Sequence, residues 1–248
     1  MSLWSELVNR YDYDSPTNKS ICIGIPTINR KDLLQEGLNS IAEHSKDLPL
    51  EKIIIIDNGN QDIEPIIPNT LKSKTILFKE SVNLGVAGSW NKIMQLSFDE
   101  YKCNYTLLLN DDMVIGPKFF GIYEDTLKKH PDAFIVNSPF YWSCITLTRE
   151  CYNTLGLFDI NFFPAYFEDN DYATRLTLYE EYRKCKGKLY VIENGLNPDI
   201  TRNSGSIARD SSLNSNFAKN GNYFKEKWGG GPHHVKFKTP FNHGGDMP

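Results

Sequence analysis

"EKIIIIDNGN", residues 51–60, decides the fold. Four isoleucines stand in a row, Ile53 to Ile56, with no polar residue between them. A half-buried strand would alternate apolar and polar residues. An unbroken β-branched run instead marks a strand covered on both faces, as in a parallel sheet between helices. Asp57 closes the run, and Asn58-Gly59-Asn60 supplies the turn. Working outward, ICIGIP (21–26), KTILFK (74–79) and YTLLLN (105–110) read as three more strands. RKDLLQEGLNSIAEHS (30–45) sets Leu33, Leu34, Leu38 and Ile41 at helical spacing, and VAGSWNKIMQLSFDEY (86–101) also reads as a helix. The order β-α-β-loop-β-α-β predicts an α/β fold, a mainly parallel sheet with helices on both faces.

The second half is less regular. Helices are expected at 117–130 and 167–184, and strands at 133–138, 140–150 and 188–193. From Asn194 the chain turns polar and irregular, with a short helix expected within SLNSNFAKNGNYFKEKW (212–228).

Composition removes several classes of function. Twenty-seven basic against 31 acidic residues give a net charge of −4, with no basic block, which argues against a dedicated nucleic-acid binder. No apolar run nears the roughly 20 residues that span a bilayer, and MSLWSELVNRYDYDSP lacks the layout of a signal peptide. The five cysteines form no CxxC pair, so neither a zinc site nor a disulfide framework is expected, and a reducing cytoplasm is the default. Peripheral contact with the inner face of a membrane stays open.

Open parallel sheets bind ligands at the carboxyl ends of their strands. Here those ends carry Thr27-Ile28-Asn29-Arg30, Asp57-Asn58, Asn83-Leu84-Gly85 and Asn110-Asp111-Asp112. The chain has no GxGxxG after its first strand and no GxxxxGK[ST] phosphate loop. A nucleotide bound here needs its phosphates neutralised another way, and a divalent cation on carboxylates is the obvious route. Asp111-Asp112 suits it, although a lone acid pair after a strand is more often a solvated turn. Asp57 suits a nucleobase N–H or, equally, an Asx-turn with the Asn-Gly that follows. In NLGVAGSWN (83–91), Gly85 permits close backbone approach, the helix start favours anions, and Asn83 and Asn91 are uncharged donors for ribose or phosphate oxygens. In YFEDNDYATR (166–175), Asp171 is placed to pair with Arg175 four residues on, which leaves Glu168 and Asp169 as candidate bases. His233-His234 reads as an exposed pair, and Arg202 or Lys236 is available to neutralise a diphosphate.

Taken in order, IGIPTINRKDLLQEGLNSI, IIIIDNGNQD, NLGVAGSWN, LLLNDD and GLFDINFFPAYFEDNDYATRL resemble the family 2 glycosyltransferases of the GT-A fold, over about residues 20 to 180. The resemblance implies a single GT-A domain over 1–248. Its nucleotide-sugar-binding half is 20–112, its acceptor half 113–193, and its irregular C-terminal region 194–248. It implies an inverting transfer from a nucleotide-sugar, with a UDP-sugar favoured, to a saccharide or lipid-linked saccharide in polysaccharide or glycoconjugate synthesis. Thr27, Asn29 and Asp57 would hold the nucleoside, with Pro26, Arg30, Asn83, Gly85, Asn91, Asn110 and Asp111 completing the donor site. Asp112 would ligate Mn²⁺ or Mg²⁺, and Asp169, beside Glu168, would be the base. Asn110 departs from the family's Asp-x-Asp metal motif, because it adds no charge where the motif has its first acid; metal dependence is expected to be weaker. Two competing readings are a nucleotidyltransferase that builds a nucleotide-sugar and a non-catalytic nucleotide-sugar-binding module.

Overall fold

The computed structural model describes residues 20–138, 141–192, 200–202 and 216–244. The remainder of the irregular region expected after Asn194 lies outside the described residues. The first half runs β1 (Ile21–Thr27), α1 (Lys31–His44), β2 (Leu50–Asp57), β3 (Thr75–Lys79), α2 (Gly85–Gln95) and β4 (Tyr105–Leu109). There follow β5 (Met113–Ile115), α3 (Phe119–Lys129), β6 (Ile135–Ser138), β7 (Tyr141–Thr148), α4 (Arg149–Leu155), α5 (Glu168–Arg183), β8 (Leu189–Val191), β9 (Ile200–Arg202) and α6 (Phe217–Trp228).

The main sheet has seven strands in the order β3-β2-β1-β4-β7-β6-β8. Strands β1 to β4 are parallel, β7 runs antiparallel between β4 and β6, and β8 returns parallel to β6. The isoleucine run behaves as its pattern requires: all four side chains are fully buried. Ile53 and Ile55 pack in the layer that holds Leu34, Leu38 and Ile41 of α1. Ile54 and Ile56 pack in the opposite layer with Trp90, Ile93 and Met94 of α2. Gly24 of β1 lets α2 close on the sheet, since a Cβ there would stand 2.2 Å from Ile93. The chain leaves β1 toward β2 and β3 and then returns to β4 on the far side of β1. That reversal opens a crevice at the carboxyl ends of β1 and β4.

Three departures from the sequence reading have local causes. The strand expected over 140–150 stops at Thr148, whose side chain accepts a hydrogen bond from the Cys151 N–H and starts α4 at Arg149. The helix expected over 86–101 is α-helical to Gln95 and closes in a wider, π-type turn, Leu96–Glu100. The short antiparallel pair β5–β9 was not foreseen; it joins residues more than eighty positions apart through three pairs.

Candidate active site

The last residues of β1 and β2, Thr27 and Asp57, are partners in the parallel register. Asp57 is fully buried. Its carboxylate accepts from the Gly59 N–H (2.9 Å), the Gln61 N–H (2.5 Å) and the Gln61 Nε2 (3.1 Å), so the loop curls around it. This is the turn-closing role, realised in full. A Cβ on Gly59 would stand 2.8 Å from Asn29 Oδ1, so the loops after β1 and β2 touch. Asn29 is exposed and adopts a left-handed backbone, φ 54°. Pro26 is half-buried.

The start of α2 is likewise occupied by protein. Asn58 Oδ1 accepts from the Leu84 N–H (2.8 Å) and Asn83 Oδ1 from the Gly85 N–H (2.8 Å). The Val86 N–H donates to the Pro164 carbonyl (2.7 Å). The N–H groups of Leu84, Gly85 and Val86 thus all have acceptors within the protein. Asn91 is buried, with its Nδ2 donating to the Phe158 carbonyl (2.9 Å) and its Oδ1 accepting from the Phe158 N–H (2.8 Å). It clamps α2 to the segment before α5.

The turn after β4 is built differently. Asn110 is anchored by its backbone, its N–H donating to the Ser143 carbonyl (2.9 Å). Asp112 is buried and Asp111 half-buried. Burial pushes the Asp111 carboxyl up to about 7; a hydrogen bond from Thr27 opposes that rise, the Asp112 charge adds to it, and Arg30 again opposes it. Thr27, Arg30, Asp111 and Asp112 therefore meet at the mouth between β1 and β4. Among the described residues no group of three or more His, Cys, Asp or Glu side chains is placed to hold a metal ion. The donor set still fits a hard divalent cation, which commonly takes one or two carboxylates and fills its other positions with water and phosphate oxygens. His233, His234 and Lys236 are exposed on the segment after α6, and Arg202 is described only by its backbone, at the end of β9.

A second acidic cluster lies at the start of α5. The loop Phe162–Phe167 folds over the first turn of α2. Gly85, at φ 68°, makes room for it: a Cβ there would lie 2.8 Å from the Pro164 carbonyl oxygen and 2.9 Å from the Phe163 ring. The loop ends with Tyr166 and Phe167 in left-handed conformations, φ 77° and 72°, directly before Glu168. Glu168 is buried, and its Oε2 has no hydrogen-bond partner among the described residues. Burial first, and the neighbouring Asp169 charge second, push the Glu168 carboxyl up to about 8. Burial also raises Asp169, partly offset by the backbone N–H and side-chain Nδ2 of Asn170, which both donate to its Oδ1 at 2.7 and 2.8 Å.

Asp171, on the same turn, has the opposite surroundings. It is fully buried and accepts from Arg175 Nε (3.1 Å) and Trp228 Nε1 (2.9 Å), with Lys227 Nζ at 2.6 Å. Lys227 also bonds Asp159 Oδ2 (2.7 Å). Burial acts to raise the Asp159 carboxyl, but the Lys227 ammonium and the Asn161 N–H outweigh it and hold it below its ordinary value. The spacing to Arg175 foretold the structural role of Asp171. The contribution of α6, through Asn220, Lys227 and Trp228, was missed; only the expected helix in that stretch hinted at a docked element.

A sheet of this order, with acids after its fourth strand and an acid pair at the start of α5, defines the GT-A class of fold. Residues 22–187 match the glycosyl transferase family 2 model, and the chain belongs to that family. A curated relative, a galactofuranosyl glycosyltransferase of Leishmania donovani, is 33% identical over 100 residues, 38% of this chain; the match spans 22% of the relative. Among solved structures, S. aureus TarS 1-349 superposes with a TM-score of 0.53 at 12% identity, covering 70% of this chain and 58% of that one. The mannosyltransferase PcManGT of Pyrobaculum calidifontis, in complex with GDP-Man and Mn²⁺, gives 0.51 at 14% identity, covering 69% and 56%. At these identities the superpositions speak for the fold.

Proposed function

We propose that this chain is a glycosyltransferase that moves a sugar from a nucleoside diphosphate donor to an acceptor hydroxyl with inversion. One observation carries the reading: two adjacent acids at the start of α5 have their carboxyls raised by burial, and the Glu168 Oε2 has no hydrogen-bond partner among the described residues. In this reading Asp169 accepts the acceptor's proton, since burial has made its carboxylate more basic than usual. The attacking oxygen forms its bond to the anomeric carbon while the bond to the diphosphate breaks, and the diphosphate leaves with the electron pair. Glu168, protonated near neutral pH, adds no second charge beside Asp169. Asp112, with Asp111, would hold Mn²⁺ or Mg²⁺, whose chemistry is to stabilise negative charge on a departing diphosphate.

Thr27, Asn29 and Arg30 would line the nucleoside, with Asp57 shaping the loop beneath it. A UDP-sugar is the favoured donor: a structure of TarS 1-349 holds UDP, and the Leishmania relative is named for galactofuranosyl transfer. The acceptor class we propose is a saccharide or lipid-linked saccharide, in polysaccharide or glycoconjugate synthesis. The five free thiols suit a reducing cytoplasm, where the acceptor would be met in solution or at the membrane face. Among the described residues no helix is long and apolar enough to cross a membrane.

The test is a thermal-shift panel of UDP, GDP, UDP-sugars and GDP-mannose, with and without Mn²⁺. At about 100 times its Kd a ligand stabilises by about 2.7 kcal/mol. For a chain of this size that corresponds to a rise of roughly 5–10 °C. UDP should produce it, more strongly with Mn²⁺. A flat response to every nucleotide contradicts the proposal.

A further inference from the structure

We infer that Asn220 of α6 is a positioning residue for the acid pair, acting through the loop that precedes it; the inference rests on the proposed role of Glu168–Asp169. Asn220 is 1% exposed and stands in the first turn of α6, more than fifty residues beyond the loop. Its Nδ2 donates to three carbonyls of that loop: Ala165 at 2.8 Å, Tyr166 at 3.2 Å and Phe163 at 3.4 Å. Its Oδ1 is buried with no hydrogen-bond partner among the described residues. Reversing the amide would set an oxygen against those same carbonyls, so the loop alone dictates the orientation. A buried amide oxygen left unmatched costs about 1–3 kcal/mol, a cost that packing alone does not explain.

The loop needs such a clamp. Tyr166 and Phe167 are both non-glycine residues at positive φ, a conformation that persists only when its surroundings fix it. Their placement sets where α5 begins, because the Phe167 carbonyl accepts the Asp171 N–H (2.9 Å) of its first turn. The same loop carries the Pro164 carbonyl that holds Val86. Asn220 thus joins the helix that starts with Glu168 and Asp169 to the entry of α2. Gly221 reinforces the clamp, since a Cβ there would meet the Phe167 ring at 3.0 Å.

The experiment compares Asn220→Leu, which fills the volume without an N–H, with Asn220→Gln, which keeps the amide, and with Asp169→Asn. Each is read as UDP release from a UDP-sugar that the wild type turns over. Rates are normalised to sites counted by UDP calorimetry, which removes any loss of folded protein. Displacing a reacting group by about 1 Å can cost roughly 100-fold. Asn220→Leu should lower kcat at least tenfold with the donor KM within twofold, and Asn220→Gln should recover part of the loss. Should Asn220→Leu fail to fold, Gly221→Ala pushes on the same loop and should lower kcat with the same unchanged KM. Normal kcat in the folded Asn220 or Gly221 variants, with Asp169→Asn inactive, overturns the positioning role and leaves the proposed base standing. Full turnover by Asp169→Asn removes both.

Discussion

Asp57 and Glu168 are both buried acids, yet their surroundings are opposite. Asp57 is wrapped by donors from Gly59 and Gln61, and Asn58, Asn83 and Asn91 accept from the Leu84, Gly85 and Phe158 N–H groups. Glu168 keeps an oxygen with no hydrogen-bond partner among the described residues, and its neighbour Asp169 is raised by burial. Asp171 shows that this is not a property of α5, since three side chains satisfy it two residues away. Satisfied polar groups build loops; buried carboxyls left raised are the ones with free energy to release when a proton or ligand arrives.

If that division is right, the largest effect is on chemistry. Asp169→Asn should lower donor turnover by about 100-fold or more, as measured by UDP release, while calorimetric UDP affinity holds within twofold. Next in size is a loss of stability. Lys227→Met strips the cation from between Asp159 and Asp171 and should destabilise by about 3 kcal/mol in thermal denaturation, because a buried carboxylate loses its partner. Asp57→Ala follows, at about 2 kcal/mol from the denaturant midpoint, as its loop donors lose their acceptor. A large turnover loss at unchanged stability would instead move Asp57 to the chemical side of the comparison.

The last effect concerns pH. A carboxyl raised from 4.5 to about 8 keeps its proton when folded and loses it when unfolded. Between those values the folded state binds more protons, so stability falls as pH rises. Glu168→Gln should remove that slope and be the more stable protein at pH 8 in chemical denaturation. A wild type whose stability rises across this window would refute the assignment.

Much of the first half was legible in the sequence, because strands buried on both faces leave a mark no other element leaves. Ile53 to Ile56 announced β2, and the Leu33–Ile41 spacing announced α1. The rim positions followed from the strand ends. What each rim residue does there was harder to read, since Asp57 supported two roles, of which the hydrogen bonds of its loop show the turn-closing one. The acid pair and the Asp171–Arg175 pairing were visible as local spacing. Asn220, Lys227 and Trp228 were not, because their partners lie more than fifty residues away and an Asn or a Lys in a polar stretch carries no local signal.

A carbon-13 NMR pH titration of the side-chain carboxyls reads the raised state of Glu168 directly. Glu168 should titrate near 8, with that signal absent from Glu168→Gln. A Glu168 signal that moves between about 4 and 5, as an ordinary glutamate does, would contradict the assignment of Glu168 as a buried, raised acid.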